Sequence, residues 1–249
     1  MEQQKVVLNE WQSCRLEKSG RVYILTLTGK DDHRFNPASI DDIVAALKTI
    51  DESPDAGALV TTNEGRYFSN GLDLIWIKNN LSSSGLTIIR EKFEGLLCFM
   101  MKLGIPTVAA ICGHGSAGGF MFALTHDYRF MNDGKEVLYM SELDHGMYMP
   151  RSLMSVIRTK IPTPNALREV MLKARKFRAS EAFDSGFVDG VYVDSAKTLE
   201  AAILEAGKLA SRNWKRDSYA NLRAWAFPEA IKELEAQRDP YVWTLDSKL

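Results

Sequence analysis

Three stretches of this chain hold residues whose types and spacing suit chemistry. The first is Gly113-His114-Gly115-Ser116-Ala117-Gly118-Gly119, in which nothing bulky stands beside the backbone except one histidine. The apolar run Pro106–Cys112 precedes it and Phe120–Leu124 follows, so strand, glycine turn and helix are expected in that order. Free N–H groups at the helix start would face the turn, with the positive end of the helix dipole behind them. That arrangement suits an anion. The second stretch, Phe68-Ser69-Asn70-Gly71-Leu72-Asp73-Leu74, is a loop-to-helix junction whose glycine permits a turn with exposed N–H groups. The third is Glu142, flanked by apolar Met140 and Leu143 in a segment that also carries Asp144 and His145.

Three anions compete for the glycine turn. Gly113-x-Gly115-x-x-Gly118 matches the dinucleotide fingerprint, which should open a βαβ unit and be followed by an acid at the end of a second strand. Here Asp133 falls in a loop-like Asn132-Asp133-Gly134, and a long stretch of chain precedes the motif. Ser116 suggests a nucleophile elbow, but His114 stands where that motif requires glycine. An oxyanion hole for a thioester enolate is the third reading. It needs a second N–H donor and a base, which the Phe68–Leu74 junction and Glu142 can supply.

The elements around these stretches alternate. Residues 12–28 read as a hairpin turning at Lys18-Ser19-Gly20-Arg21, and Pro37 opens a helix with Ile40, Ile43, Val44, Leu47 and Ile50 on its apolar face. Ala56–Thr62 is a strand, residues 63–73 a loop, 73–79 a short helix, and Ser82–Gly85 a flexible break. A longer helix over about 86–103 buries Ile88, Ile89, Phe93, Leu96, Leu97, Met100 and Leu103. Strands are expected at 127–131, 137–140 and 191–193, and a helical segment at 150–172 broken by Pro162 and Pro164. Ser180 reads as the cap of a helix ending at Gly186, and residues 195–211 and 214–236 as two further helices. The alternation predicts an α/β core with right-handed crossovers and a helical C-terminal part.

Composition narrows the function classes. At 249 residues with 45% hydrophobic and 25% charged residues, the chain has ordinary globular content. A net charge of -1 argues against nucleic-acid binding by phosphate neutralisation. No apolar run reaches the roughly 18 residues of a membrane span, and the first residues lack a signal-peptide pattern. Cys14, Cys98 and Cys112 suggest neither a disulfide framework nor a metal site, and all three read as buried small apolar residues. The final Ser247-Lys248-Leu249 matches a peroxisomal address read by an import receptor.

Phe68-Ser69-Asn70-Gly71-Leu72-Asp73-Leu74 and then Ile105-Pro106-Thr107-Val108-Ala109-Ala110-Ile111-Cys112-Gly113, with Asp127-Tyr128-Arg129 and Glu142 at matching distances downstream, resemble the enoyl-CoA hydratase/isomerase (crotonase) superfamily. The likeness covers residues 12–195 and implies an α/β fold with a crotonase-like ββα spiral core over 1–195. A C-terminal helical region over 196–246 with oligomer contacts and the 247–249 targeting tripeptide complete the expected organisation, as a homotrimer or hexamer. Carried over residue by residue, the oxyanion hole is the N–H groups of Leu72 and Gly118, which stabilise an enolate more than its parent thioester. Coenzyme A, part of the substrate and not a cofactor, would lie along Ser69, Asn70, Gly71, Leu72 and Asp73 and against Gly118. Lys30 and Arg34 sit in a loop that could meet its phosphates.

One departure is informative. The superfamily's hydratases place a second glutamate three residues after the second oxyanion glycine, where this chain has Met121. A single carboxylate, Glu142, suits moving a proton within a substrate, and the pattern looks like the monofunctional peroxisomal Δ3-Δ2-enoyl-CoA isomerases. A hydratase, another acyl-CoA-processing member, or a non-catalytic acyl-CoA-binding or assembly protein are the alternatives. Plainer roles stand beside these: Gly118 and Gly119 as packing glycines, Glu142 as a helix-start acid capped by Ser141, and Asp73 as a helix-start residue. His114, His126 and His145 read as structural or surface residues. Burial against Leu72, Met121 and Leu143 is expected to raise the Glu142 pKa.

Overall fold

A computed structural model describes residues 5–29, 32–81 and 84–236. Lys30, two serines of the expected break (Ser82 and Ser83), Asp239-Pro240, Tyr241, Trp243 and Ser247-Lys248-Leu249 lie outside the described residues. In chain order the elements are β1 (Val6–Glu10), β2 (Cys14–Ser19), β3 (Val22–Leu27), α1 (Pro37–Glu52), β4 (Ala58–Asn63), β5 (Tyr67–Ser69), α2 (Leu74–Asn79) and α3 (Gly85–Lys102). Then come β6 (Thr107–Ile111), β7 (His114–Ser116), α4 (Gly118–Leu124), β8 (Tyr128–Asn132), β9 (Leu138–Tyr139), α5 (Arg151–Lys160), α6 (Pro164–Met171) and α7 (Ala179–Asp184). The last are β10 (Gly190–Tyr192), α8 (Ser195–Ser211), α9 (Arg216–Ala226) and α10 (Pro228–Ala236).

Seven strands form one sheet in the order β1-β2-β3-β4-β6-β8-β10. The pairs β1/β2 and β2/β3 are antiparallel, and every pair from β3 onward is parallel. Strand residues alternate between two apolar clusters. In β3, Val22 and Ile24 join one while Tyr23, Leu25 and Leu27 join the other; in β6, Val108 and Ala110 oppose Ala109 and Ile111. Covered faces on both sides explain the unbroken apolar runs of the inner strands. The thinner cover is α8, whose buried Ala202, Ala206 and Ala210 let it lie close on Val22, Ile24, Ala58, Val60, Val108 and Ala110. The other face carries α1, α3, α4 and α5 and a second, small sheet.

That small sheet was not foreseen. Its strands β5, β7 and β9 are two or three residues long and lie within stretches expected as loop, glycine turn and a longer strand. Other expectations need correcting too. Ser180 lies inside α7, whose N-cap is Arg178, and the helix closes at Ser185. The expected 214–236 helix is two, because Phe227 leaves helical geometry and Pro228 starts a new one. Ile88 is 40% exposed, on the outer side of α3.

Asp127 and Arg129 pin the core together. Asp127 accepts hydrogen bonds from Thr107 N (2.9 Å), Tyr219 Oη (3.1 Å) and the Arg223 guanidinium, so α9 is held to the N-terminal ends of β6 and β8. Arg129 is buried and donates to the carbonyls of Phe187 (2.8 Å) and His126 (2.6 Å). Among the described residues no helix is long and apolar enough to cross a membrane.

Candidate active site

The small sheet is wholly parallel: β5 pairs with β7 and β7 with β9, with Ser69 opposite Gly115 and Ser116 opposite Tyr139. Parallel strands emerge at one edge, and their C-terminal ends are where α/β folds place ligands. The chain leaves β5 toward Leu72, β7 toward Gly118 and β9 toward Glu142. All three stretches singled out by their chemistry therefore converge on one cavity of about 340 Å³.

After β5 the backbone is fixed by its neighbours. The Phe35 N–H donates to Gly71 O and the Asp73 N–H donates to Phe35 O, both at 2.8 Å. In that parallel bridge the N–H of the intervening Leu72 faces away from Phe35. Gly71 makes the turn at φ +77°, and a Cβ there would lie 3.0 Å from the Gly118 nitrogen. Ser69 is fully buried; its Oγ donates to His33 O at 2.7 Å and accepts from the Gly71 N–H at 3.2 Å. Asp73 caps α2 by accepting from the Trp76 N–H at 3.0 Å. Of the residues expected along coenzyme A, then, Asn70, Leu72 and Gly118 line the cavity, whereas Ser69 and Asp73 hold the loop itself.

Beyond β7, Ala117 takes φ +48°, an uncommon conformation for a residue with a Cβ, while its N–H donates to Tyr139 O at 2.9 Å. Gly118 then opens α4 against the Leu72 loop. A Cβ on Gly118 would stand 3.1 Å from the Phe93 ring, and one on Gly119 would collide with the Ser69 backbone. Close packing against Phe93 and the Ser69 backbone therefore requires glycine at both positions.

Glu142 sits in a turn, not at a helix start. His145 N–H donates to Ser141 O (3.2 Å) and Met147 N–H to Glu142 O (2.9 Å), with no helix following until α5. The side chain enters the cavity, where its Oε2 is buried and has no hydrogen-bond partner among the described residues. Burial pushes the carboxyl up to about 7, a shift that no cation beside it offsets. Leu143 does not contribute, being 56% exposed on the outside of the turn. The apolar walls are instead Leu72, Leu74, Phe93, Met121, Met147 and Leu153. Sequence reasoning missed Met147 and Leu153 because they belong to no motif. It also missed Tyr139, which stands three residues before Glu142 in the shortest strand of the fold.

The histidines take separate places. His126 is fully buried, bonded to Phe122 O and Thr61 Oγ1, and burial lowers its pKa to about 3. His114 lies tilted against the Tyr67 ring and accepts from the Val137 N–H, and the Ser116 hydroxyl donates to Asn70, so neither histidine forms a nucleophile-base pair with it. His145 is exposed at the cavity edge. Arg34 lines the mouth and pairs with Asp32.

Comparison with known proteins decides the family. The enoyl-CoA hydratase/isomerase family profile matches residues 17–244. The chain belongs to the enoyl-CoA hydratase/isomerase family. It is 40% identical over 222 residues to enoyl-CoA delta isomerase 2, peroxisomal, of Arabidopsis thaliana, covering 87% of this chain and 92% of that protein. It is also 37% identical over 230 residues to enoyl-CoA delta isomerase 3 of the same plant, covering 89% and 95%. Among solved structures, an apo enoyl-CoA isomerase from Mtb superposes with a TM-score of 0.82 at 20% identity over 91% of this chain and 96% of that one, a likeness of fold. Among the described residues that line the cavity, Glu142 is the one carboxylate, and Met121 faces the same space.

Proposed function

We propose that this chain is a Δ3-Δ2-enoyl-CoA isomerase of fatty acid β-oxidation. Glu142 removes a proton from C2 of a cis- or trans-3-enoyl-CoA and returns it to C4, giving the trans-2-enoyl-CoA. The Leu72 and Gly118 N–H groups hold the thioester oxygen as it gains charge, and coenzyme A enters as part of the substrate with no further cofactor. The observation that carries this reading is Glu142, the one carboxylate among the described residues that line the cavity, whose Oε2 is buried without a hydrogen-bond partner beside the apolar side chains of Leu72, Phe93, Met121 and Leu153. Burial raises the Glu142 carboxyl to about 7, which makes its carboxylate a stronger base toward the weakly acidic C2 proton than an ordinary glutamate. Water addition calls for a second acid-base group, and Met121 has none to offer. A cleft of about 730 Å³ on the far side of Arg34, reaching Asp73 and Ile75, gives the nucleotide end of coenzyme A room beside the Asn70–Asp73 loop.

Two assays test the reading. With a 3-enoyl-CoA, the ultraviolet absorbance of the conjugated 2-enoyl thioester should appear; tight binding without it would favour a non-catalytic acyl-CoA-binding protein. With a 2-enoyl-CoA, efficient formation of the 3-hydroxy product would make the chain a hydratase. The relatives named peroxisomal support an address function for Ser247-Lys248-Leu249, read by the import receptor, and hence a peroxisomal location. A homotrimer, alone or paired into a hexamer, is the assembly we assign.

A further inference from the structure

The two N–H groups assigned to the enolate oxygen come from separate loops, and something must fix their spacing. The β5/β7 ladder ends at the Ser69–Gly115 pair, after a register shift, before either loop reaches the cavity. Past that point each loop turns through a conformationally exposed joint, Gly71 at φ +77° and Ala117 at φ +48°. Between ladder and joints one side-chain bond crosses: the Ser116 hydroxyl donates to Asn70 Oδ1 at 2.7 Å. Its placement is symmetrical, because Asn70 lies two residues before Leu72 and Ser116 two before Gly118. Tyr139, whose carbonyl holds the Ala117 N–H, stands opposite Ser116 in the β7/β9 pair, extending the row to the third strand. Ser116 is 3% exposed, so its hydroxyl is shielded from competing water, and Asn70 is half-buried at the cavity wall.

We propose that the Ser116–Asn70 hydrogen bond clamps the two loops at the separation an enolate oxygen needs, making Ser116 and Asn70 positioning residues for isomerisation. The clamp rests on the reading of Leu72 and Gly118 as the oxyanion donors. It also assigns Ser116 a purpose other than nucleophile: its proton is spent on the loop opposite. A pair of donors selects the enolate over the parent thioester only if both reach the oxygen as its charge grows, so a loosened clamp weakens the transition state more than the ground state.

Ser116→Ala, Asn70→Ala and the double variant test this, each measured for kcat and KM with a 3-enoyl-CoA, for melting temperature, and for binding of acetoacetyl-CoA, whose enolate absorbs in the near ultraviolet, against a saturated acyl-CoA. Each single variant is expected to lower kcat by about ten- to a hundredfold, the scale of a sub-ångström to 1 Å misplacement, with KM changed by less than about threefold. The double variant should be no slower than the slower single one, since either change already breaks the clamp. Enolate binding should weaken in step with kcat while saturated acyl-CoA binding holds. Multiplicative losses in the double variant would overturn the clamp. So would a raised KM at constant kcat, which would make Asn70 a mere ligand contact, or a lowered melting temperature with kcat intact. Should Ser116→Ala fail to fold, Asn70→Ala alone decides through its kcat and KM split. A wild-type protein that does not isomerise 3-enoyl-CoA overturns the isomerase reading itself, an outcome distinct from wild-type turnover with unaffected variants.

Discussion

At the scale of residues, the proposed chemistry falls on Glu142, and its surroundings set its strength as a base. Glu142→Gln keeps the shape and removes the base, so kcat should fall by about 10⁴-fold or more, at the upper end of general-base effects, with KM far less affected; a near-wild-type kcat would return Glu142 to a structural role. Because the carboxylate form is the base, kcat/KM should rise with pH and reach half its plateau near pH 7. The same shift has an opposite consequence for stability. A carboxyl whose folded pKa lies above its unfolded value stabilises the fold at low pH, and that contribution is lost as pH rises through the folded pKa. Glu142→Gln should therefore melt higher than wild type at pH 8, with the gap closing as pH falls toward the ordinary glutamate range of about 4–5; calorimetry at the two pH values checks it. That Leu72, Gly118 and Glu142 meet at one cavity was legible because motif blocks surround them. Leu143 and Ile88 were misassigned because hydrophobicity alone does not say which side of a turn or helix faces inward. Ser116 was legible only as a failed nucleophile, since a hydrogen bond to Asn70, distant in sequence, leaves no local pattern.

At the scale of elements, what the sequence concealed is the small sheet that makes the site. Strands of two or three residues cannot show period-2 alternation, and β7 lies inside a glycine run that reads as a turn. Longer elements were legible for the opposite reason: α1, α3 and α8 repeat their apolar spacing over several turns, and α1 opens on an Asn36–Ser39 capping box with Pro37 in its first turn. The split between α9 and α10 follows from Pro228 and was readable there. Asp127 shows how elements are fastened. Burial pushes its carboxyl up, but Arg223 and Lys160 outweigh that and hold it below the usual range. Asp127→Ala removes one side of a buried pair and also abandons Thr107 and Tyr219, so a loss of about 3–5 kcal/mol is expected from denaturant unfolding. The damage should be largest where α9 meets the start of β6. Hydrogen exchange that quickens first in α9 would bear this out, and a loss below about 1 kcal/mol would reduce the pair to a surface contact.

At the scale of the whole molecule, the layered α/β core was legible from alternation, whereas the use of its outward faces is a matter of prediction. For the C-terminal tripeptide, deletion of Ser247-Lys248-Leu249 should leave isomerase activity and melting temperature unchanged while the protein remains cytosolic; a lowered melting temperature would make the tripeptide part of the packing. The assembly prediction rests on α9. This helix is anchored to the core through Arg223 and Tyr219, yet Leu222 and Trp225 beside them are 68% and 75% exposed, and Trp214 just before it is 44% exposed. A hollow of about 620 Å³ runs along the same face, lined by Trp214, Tyr219, Leu222, Ala226 and Phe227. Large apolar side chains grouped this way mark an interaction surface, and an aromatic anchor facing a hollow is a common form of protein contact. Because α9 is held from behind, it cannot fold inward to cover the face; a second copy of the chain can. Light scattering should therefore give the mass of three or six chains at micromolar concentration. Leu222→Asp combined with Trp225→Asp, which places charge on that face without touching Asp127, should shift the mass toward the monomer while far-ultraviolet dichroism stays native. A wild-type monomer at micromolar concentration, or an oligomer indifferent to both aspartates, would remove α9 from the interface.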